Sequence, residues 1–414
     1  MYLEGKGVQQ DETKSQKLYT AALAGFLKLE QETPASHVEY KIAGMYDRGN
    51  GTEPDAAQAY SWYVKAAEGG HPHAAYRVAR ACYDGTGTEQ DYKAAEQWFI
   101  QAANGGDPYA MYSLGKMYCD GTGVEISVQT SYSYFLAAAK LEHEFAQFAV
   151  AKALLYGIGT KQNSSEALRW FSKSAEKGNH YAEYQAAELL SVGEERKDIP
   201  NNGIQAQFFY NLALNGFIKS DRKNPNDSQE FRIGQMFYRG KGTVLDFTSA
   251  AHWFSLSAEK GNVQAQFQLA RMFQIGEGVS IDEQRAQELY SAAFQGFMKS
   301  LKEEPDSGLQ LKIRTMYQFG LGVEKNMTTA KQWFTASADA GNEYATERLN
   351  QIGAFEMQAS VGSVLGLFRA LARNMGNSIN DSTTHKYRQD RKLLNKQHQM
   401  KAAHGHKHEL KEIM

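Results

Sequence analysis

The chain has 414 residues, 42% hydrophobic and 22% charged, with only 7 prolines, a composition that excludes disorder over most of its length and leaves helices largely uninterrupted. Its net charge of −2 combines a basic tail, residues 384–414 at +5, with an acidic body at −7. Two cysteines, Cys82 and Cys119, exclude a disulfide framework and point to a reducing compartment, and the lack of any run of about 18 apolar residues excludes a membrane-spanning helix.

The first residues, Met1-Tyr2-Leu3-Glu4-Gly5-Lys6-Gly7-Val8, show no basic segment followed by an apolar one, so no secretory signal is read and the expected location is cytoplasmic. They match Met45-Tyr46-Asp47-Arg48-Gly49-Asn50-Gly51-Thr52 and Met117-Tyr118-Cys119-Asp120-Gly121-Thr122-Gly123-Val124. The chain thus opens inside the last turn of a first helix. That predicts either an upstream portion or self-association through the open end, because Leu18 and Tyr19 would otherwise lack a covering helix.

Gly-x-Gly pairs begin at Gly5, Gly49, Gly85, Gly121, Gly157, Gly240, Gly276 and Gly320, four of the seven intervals being 36 residues, and Gly193 continues the register. Three residues before these glycines stand Tyr46, Tyr118, Leu154, Phe237, Phe273 and Tyr317; seven before stand Ile42, Val78, Leu114, Val150, Ile233, Leu269 and Ile313. Such offsets describe one face of a helix. Thirteen residues after the glycine come all five tryptophans, Trp62, Trp98, Trp170, Trp253 and Trp333, with Tyr134 in the same phase. Small pairs such as Ala66-Ala67 and Ala102-Ala103 follow, then Gly69-Gly70, Gly105-Gly106, Gly178-Asn179, Gly261-Asn262 or Gly341-Asn342, which supply left-handed C-terminal caps. Each unit reads as helix, Gly-x-Gly turn, second helix, capped turn.

His71-Pro72-His73 is expected to open a first helix, with proline in its first turn and both histidines exposed. The stripes containing Tyr40, Tyr76, Tyr112, Phe148, Phe231, Phe267, Met45, Met117, Met236 and Met272 read as packing residues. Arg77, Arg80 and Lys116 fall outside the apolar stripe and are expected to line the concave face of the stack.

Three intervals are longer: 44 residues from Gly5 to Gly49 and from Gly276 to Gly320, and 47 from Gly193 to Gly240. The added length follows Ala24-Gly25-Phe26, Asn215-Gly216-Phe217 and Gln295-Gly296-Phe297 and includes Pro34, Pro225 or Pro305. It predicts lengthened second helices and longer loops, about 12 Å of extra helix in each. Partner contacts and simple repeat drift are equal explanations for them.

The pattern resembles the Sel1-like repeat, a relative of the tetratricopeptide repeat, most clearly in Asp107-Pro-Tyr-Ala-Met-Tyr-Ser-Leu-Gly-Lys-Met-Tyr-Cys-Asp-Gly-Thr-Gly-Val124 and Ala330-Lys-Gln-Trp-Phe-Thr-Ala-Ser-Ala-Asp-Ala-Gly-Asn342. The resemblance implies an all-α, right-handed α/α solenoid of eight to nine repeats over residues 1–352, with function on the concave surface. Residues 353–376 follow as an amphipathic capping helix, its apolar side formed by Val361, Val364, Leu365, Phe368, Leu371, Ala372 and Met375. Residues 377–414 read as a polar linker and a basic, His-rich tail.

The tail, with Tyr387-Arg-Gln-Asp-Arg-Lys-Leu-Leu-Asn-Lys396 and Gly405-His-Lys407, is similar to the C-terminal region of Gram-positive mobilisation relaxases that carry Sel1-like repeats. That resemblance implies an accessory part of a DNA-transfer protein, with the catalytic domain elsewhere. Arg388, Arg391, Lys392 and Lys396 are the residues expected to meet DNA or an acidic surface. His404, His406 and His408 are the sole metal candidates, by alternate imidazoles. Phosphate-binding loops, zinc-protease helices and nucleophile elbows are missing, so no catalytic residue or cofactor is predicted. The sequence therefore reads as a non-catalytic scaffold for protein partners of unknown identity, with no membrane role. A DNA-associated factor acting through the tail is the alternative. A β-lactam-binding Sel1 hydrolase ranks last, because such proteins carry the regularly paired cysteines missing here.

Overall fold

The computed structural model describes residues 11–191, 202–303 and 306–339. Among them are seventeen helices and no strand, so the all-α expectation holds. The expected elements at residues 1–10, the turn at Gly193, Pro305, and everything from residue 340, including Gly341-Asn342, the capping helix and the tail, lie outside the described residues.

The first helices of the repeats are α2 (Ser36–Arg48), α4 (Ala74–Asp84), α6 (Pro108–Asp120), α8 (Glu144–Tyr156), α10 (His180–Ser191), α12 (Asp227–Arg239), α14 (Val263–Ile275) and α16 (Ser307–Phe319). The second helices are α1 (Glu12–Glu32), α3 (Ala56–Glu68), α5 (Tyr92–Asn104), α7 (Val128–Lys140), α9 (Ser164–Glu176), α11 (Gly203–Asp221), α13 (Phe247–Glu259), α15 (Glu283–Glu303) and α17 (Met327–Asp339). Chain neighbours pack on each other from α1 to α9 and from α11 to α17, which is the stacking of an α/α solenoid. The chain forms two compact units, one up to Ala182 and one from Glu183.

Local chemistry fixes the ends. Asp55, Asp91, Ser127, Asn163 and Asp246 cap the second helices by accepting backbone N–H groups. Among the described residues the first glycine of each Gly-x-Gly caps the first helix in the left-handed region, φ +67° at Gly49 and +75° at Gly276. The second glycine also lies against the second helix of the preceding repeat. A Cβ on Gly87 would sit 2.0 Å from the Ala56 carbonyl oxygen, and one on Gly159 2.1 Å from that of Val128. The repeated glycine pair therefore serves both the turn and the inter-repeat contact.

The tryptophans mark the right place but are not the centre of the core. Trp62, Trp98, Trp170 and Trp253 are half-buried, whereas the residue after each, Tyr63, Phe99, Phe171 or Phe254, is buried, as is Phe135 after Tyr134. Burying such a ring contributes about 1.5–3 kcal/mol. Small residues of the first helix admit it: a Cβ on Gly115 would meet Phe135 at 2.7 Å, and one on Gly234 would meet Phe254 at 2.7 Å. The methionine stripe is core as expected, Met117, Met236 and Met272 being fully buried. Phe267 is buried too, but Tyr40, Tyr76, Tyr112, Phe148 and Phe231 are only partly so.

The long intervals are lengthened second helices: α1 and α15 have 21 residues and α11 has 19, against 13 in α3, α5, α7, α9 and α13. Each carries a glutamine in its second turn that holds the next glycine pair. Gln16 Oε1 accepts from Gly51 N–H, Gln207 Oε1 from Gly242 N–H and Gln287 Oε1 from Gly322 N–H, all at 2.7 Å. The added turns bring Phe26, Phe217 and Phe297 under a cation of the next first helix. Lys41 lies 5.4 Å, Arg232 5.5 Å and Lys312 5.2 Å from the respective ring centres.

Candidate partner-binding face

In the first unit the buried stripe of each first helix leaves the opposite side free. At the second residue of α2, α6, α8 and α10, and just before α4, stand His37, Tyr109, Phe145, Tyr181 and His73, one every 36 residues, and all five are exposed. One turn further come Tyr40, Tyr76, Tyr112 and Phe148, half-buried. Spacings of three, four and seven along a helix place the cations of the next turns on the same side. These are Arg77, Arg80, Lys116 and Lys152, of which the first three are exposed.

The rings touch across repeats. Tyr76 lies 6.0 Å from Tyr109, and Tyr109 lies 4.8 Å edge-on from His143, which stacks on Tyr112 at 4.7 Å; Tyr112 reaches Phe145 at 6.3 Å. Nearer the N-terminus His71 stacks on Tyr40 at 4.1 Å. This corrects the expectation for His71-Pro72-His73. His71 is half-buried under a ring, and α4 starts at Ala74, after the proline, with His73 N–H donating to His71 Nδ1 at 3.3 Å. In α6 the Asp107 carboxylate caps instead, and Pro108 is the first helical residue.

His143 is buried, and its Nδ1 accepts the N–H of Ala146 at 3.2 Å as the cap of α8. Burial lowers its pKa below the usual imidazole range. Among the cations, Arg77 lies 6.0 Å from the Tyr63 ring and Lys152 5.6 Å from Phe148. Arg80 pairs with Asp84 at 2.6 Å, and Lys116 has no ion pair among the described residues. The sequence candidates Arg77, Arg80 and Lys116 are all exposed on first helices, the arginines on α4 and the lysine on α6. The structure adds Tyr109 and Phe145, 58% and 52% exposed, which the 36-residue register at the second residue of the first helices would have revealed.

The second unit differs. Lys241 pairs with Glu188 beside Tyr184 and Tyr210, and Arg232 lies 5.2 Å from the Tyr184 ring. Burial and the adjacent Glu188 push both phenols up. The outer side of α11 presents Ile204, Phe208 and Leu212 at successive turns, Ile204 being 89% exposed, a row no sequence argument singled out.

Both thiols are free and buried, and burial pushes Cys119 up to about 11, so it is not a nucleophile at neutral pH. Among the described residues no cluster of three or more His, Cys, Asp or Glu could hold a metal ion, and no helix is long and apolar enough to cross a membrane. His404, His406, His408, Arg388, Arg391, Lys392 and Lys396 lie outside the described residues.

The Sel1 repeat family profile matches nine segments, residues 1–25, 36–71, 72–107, 108–143, 145–179, 180–216, 230–262, 263–295 and 315–342. Over 116 residues the chain is 31% identical to Protein sel-1 homolog 2 of Rattus norvegicus, covering 27% of this chain and 16% of that protein. Over 70 residues it is 36% identical to the ERAD-associated E3 ubiquitin-protein ligase component HRD3B of Arabidopsis thaliana, covering 17% and 12%. The matches thus span less than a fifth of either relative. A protective antigen of uropathogenic Escherichia coli with an SLR fold superimposes with a TM-score of 0.56 at 24% identity, over 90% of this chain and 80% of that one, a likeness of fold. The family profile and the glycine-paired helices that it matches agree over most of the chain, which belongs to the Sel1 repeat family.

Proposed function

We propose that this protein is a non-catalytic scaffold that binds protein partners on the exposed side of its first helices. The observation that carries this reading is the repeat-phased ring row from His37 to Tyr181, kept at the surface where burial of such rings would otherwise be favourable. That one relative is named as a component of a ligase assembly supports the same role. A photo-crosslinking residue at Tyr109, compared with one at the exposed Gln97 of α5, tests it in the native host. A discrete protein adduct at 109 but not at 97 is expected; equal labelling at both refutes the face.

Two finer readings belong to the tail. A role as the accessory part of a mobilisation protein is supported by the relaxase-like segment from Tyr387 to Lys407, and co-purification with a relaxase domain tests it. Direct DNA contact by Arg388, Arg391, Lys392 and Lys396 predicts retention that falls steeply with salt and disappears on removal of residues 384–414. Two free, buried cysteines fit a reducing compartment such as the cytoplasm.

A further inference from the structure

We infer that the first-helix face of the first unit takes an extended acidic peptide segment whose carboxylates meet Arg77, Arg80, Lys116 and Lys152 and whose apolar side chains lie on Tyr109 and Phe145. This rests on the scaffold reading above and names the chemical class of the partner.

Charge is the first support. Outside its tail the chain is acidic, at −7, yet this side of α4, α6 and α8 presents four cations. Asp84 already pairs with Arg80, whereas Asp107 caps α6 while lying 3.9 Å from His73 and Asp120 is buried, accepting from Thr122, which leaves Arg77 and Lys116 as exposed cations without an ion pair among the described residues. A local patch opposite in sign to the body selects a partner of the body's own sign by complementarity.

Geometry is the second. The cations recur one repeat apart, at Arg80, Lys116 and Lys152, so they form a line across the helices, next to a ring belt continuous from Tyr76 to Phe145. A linear segment with acidic and apolar residues alternating would present one kind of side chain to each line. A nucleic-acid strand is the rival anion. It fits less well: His143 and Tyr112 stack on each other, so their stacked faces are not open to bases.

Fluorescence anisotropy on the full chain tests the proposal, with three probes: a fluorescein-labelled peptide alternating glutamate with leucine or phenylalanine, its lysine counterpart, and an oligo-dT strand. The acidic peptide is expected to bind, weakening with salt, and Arg77→Glu with Lys116→Glu should weaken it at least about tenfold. Both side chains are exposed, and a far-ultraviolet spectrum and melting point matching the parent confirm that the variant folds. Binding of oligo-dT that the double reversal weakens as much as it weakens the acidic peptide, or indifference of the acidic peptide to the double reversal, overturns the proposal. Panning the full chain against a displayed random-peptide library separates the two layers. Enrichment of neutral or basic peptides overturns the acidic partner and leaves the scaffold standing; enrichment of none overturns both.

Discussion

Replacing Gly87 by alanine tests whether the second glycine of each pair is there for its conformation or for the contact it permits. Gly87 has φ +75°, and its Cβ would stand 2.0 Å from the oxygen and 2.4 Å from the carbon of Ala56, backbone atoms of the first turn of α3. Gly106 supplies the control, with φ +86° and open space around its Cβ. In both, alanine incurs the left-handed cost of about 1–3 kcal/mol. Only Gly87→Ala must also push two repeats apart, an overpacking cost of roughly 1–3 kcal/mol more. Because long arrays lose two-state behaviour, urea unfolding should be read together with native-state hydrogen exchange of α3 and α4. The expected result is a larger loss for Gly87→Ala, concentrated in the amides of those two helices. Equal losses in the two variants would show that the contact contributes nothing, and the account of the glycine pair would be wrong.

Removing the amide that holds a glycine pair, as Gln207→Ala, takes the acceptor from Gly242 N–H and the donor from the Gly240 carbonyl; an unfolding midpoint lowered by about 1 kcal/mol is expected, and no change would mean that water replaces the amide at no cost. His143 gives a pH dependence whose sign is fixed: its folded pKa lies below 6.5, so the unfolded chain protonates first, and the contribution is complete above 6.5 and lost as pH falls through the folded value. Melting points between about pH 5 and 8 should show this slope in the parent and lose part of it in His143→Asn, which keeps a capping oxygen; identical profiles would exclude the histidine. Glu183 runs the other way. Burial alone raises its pKa to about 7, so its favourable neutral form is held below 4.5 and lost as pH rises through about 7. Glu183→Gln should therefore stabilise the protein above that pH by up to about 3 kcal/mol and leave it unchanged in acid; destabilisation at high pH would contradict the burial argument.

The fold was legible because glycine and tryptophan are costly to replace and so mark a phase on their own. Glycine at 49, 85, 121 and 157 answers two demands at once, and its spacing gave the repeat length directly. The ring at the true centre was harder to see. It alternates between Tyr63 and Phe99, Phe135 and Phe171, and any large ring fills that space, so the type varies while the position does not. The half-buried tryptophans beside it, five in all with Tyr134 in the same phase, attract the eye; Lys65 lies 4.2 Å over Trp62 and Lys173 4.7 Å over Trp170. The candidate face was half legible for a related reason. Arg77, Arg80 and Lys116 stood out by lying off the apolar stripe, whereas Tyr109 and Phe145 looked like ordinary helix-start residues. Sequence periodicity alone does not tell an exposed ring from a packed one.

The three long repeats show how far a departure from period can be read physically. From the sequence, inserted residues after Phe26, Phe217 and Phe297 were as consistent with projecting contact sites as with drift. In the structure the three share a set of parts: six to eight extra residues of second helix, a glutamine on the next glycine pair, and a phenylalanine under a cation at the same place in the next first helix. Three unrelated drifts would not supply the same glutamine and the same ring–cation pair, so the insertions are a second kind of repeat whose added length is used in stacking. Phe217 and Phe297 are fully buried by it. The side chains that this packing leaves exposed are Arg77, Arg80 and Lys116 on α4 and α6 and the apolar row Ile204, Phe208 and Leu212 on α11.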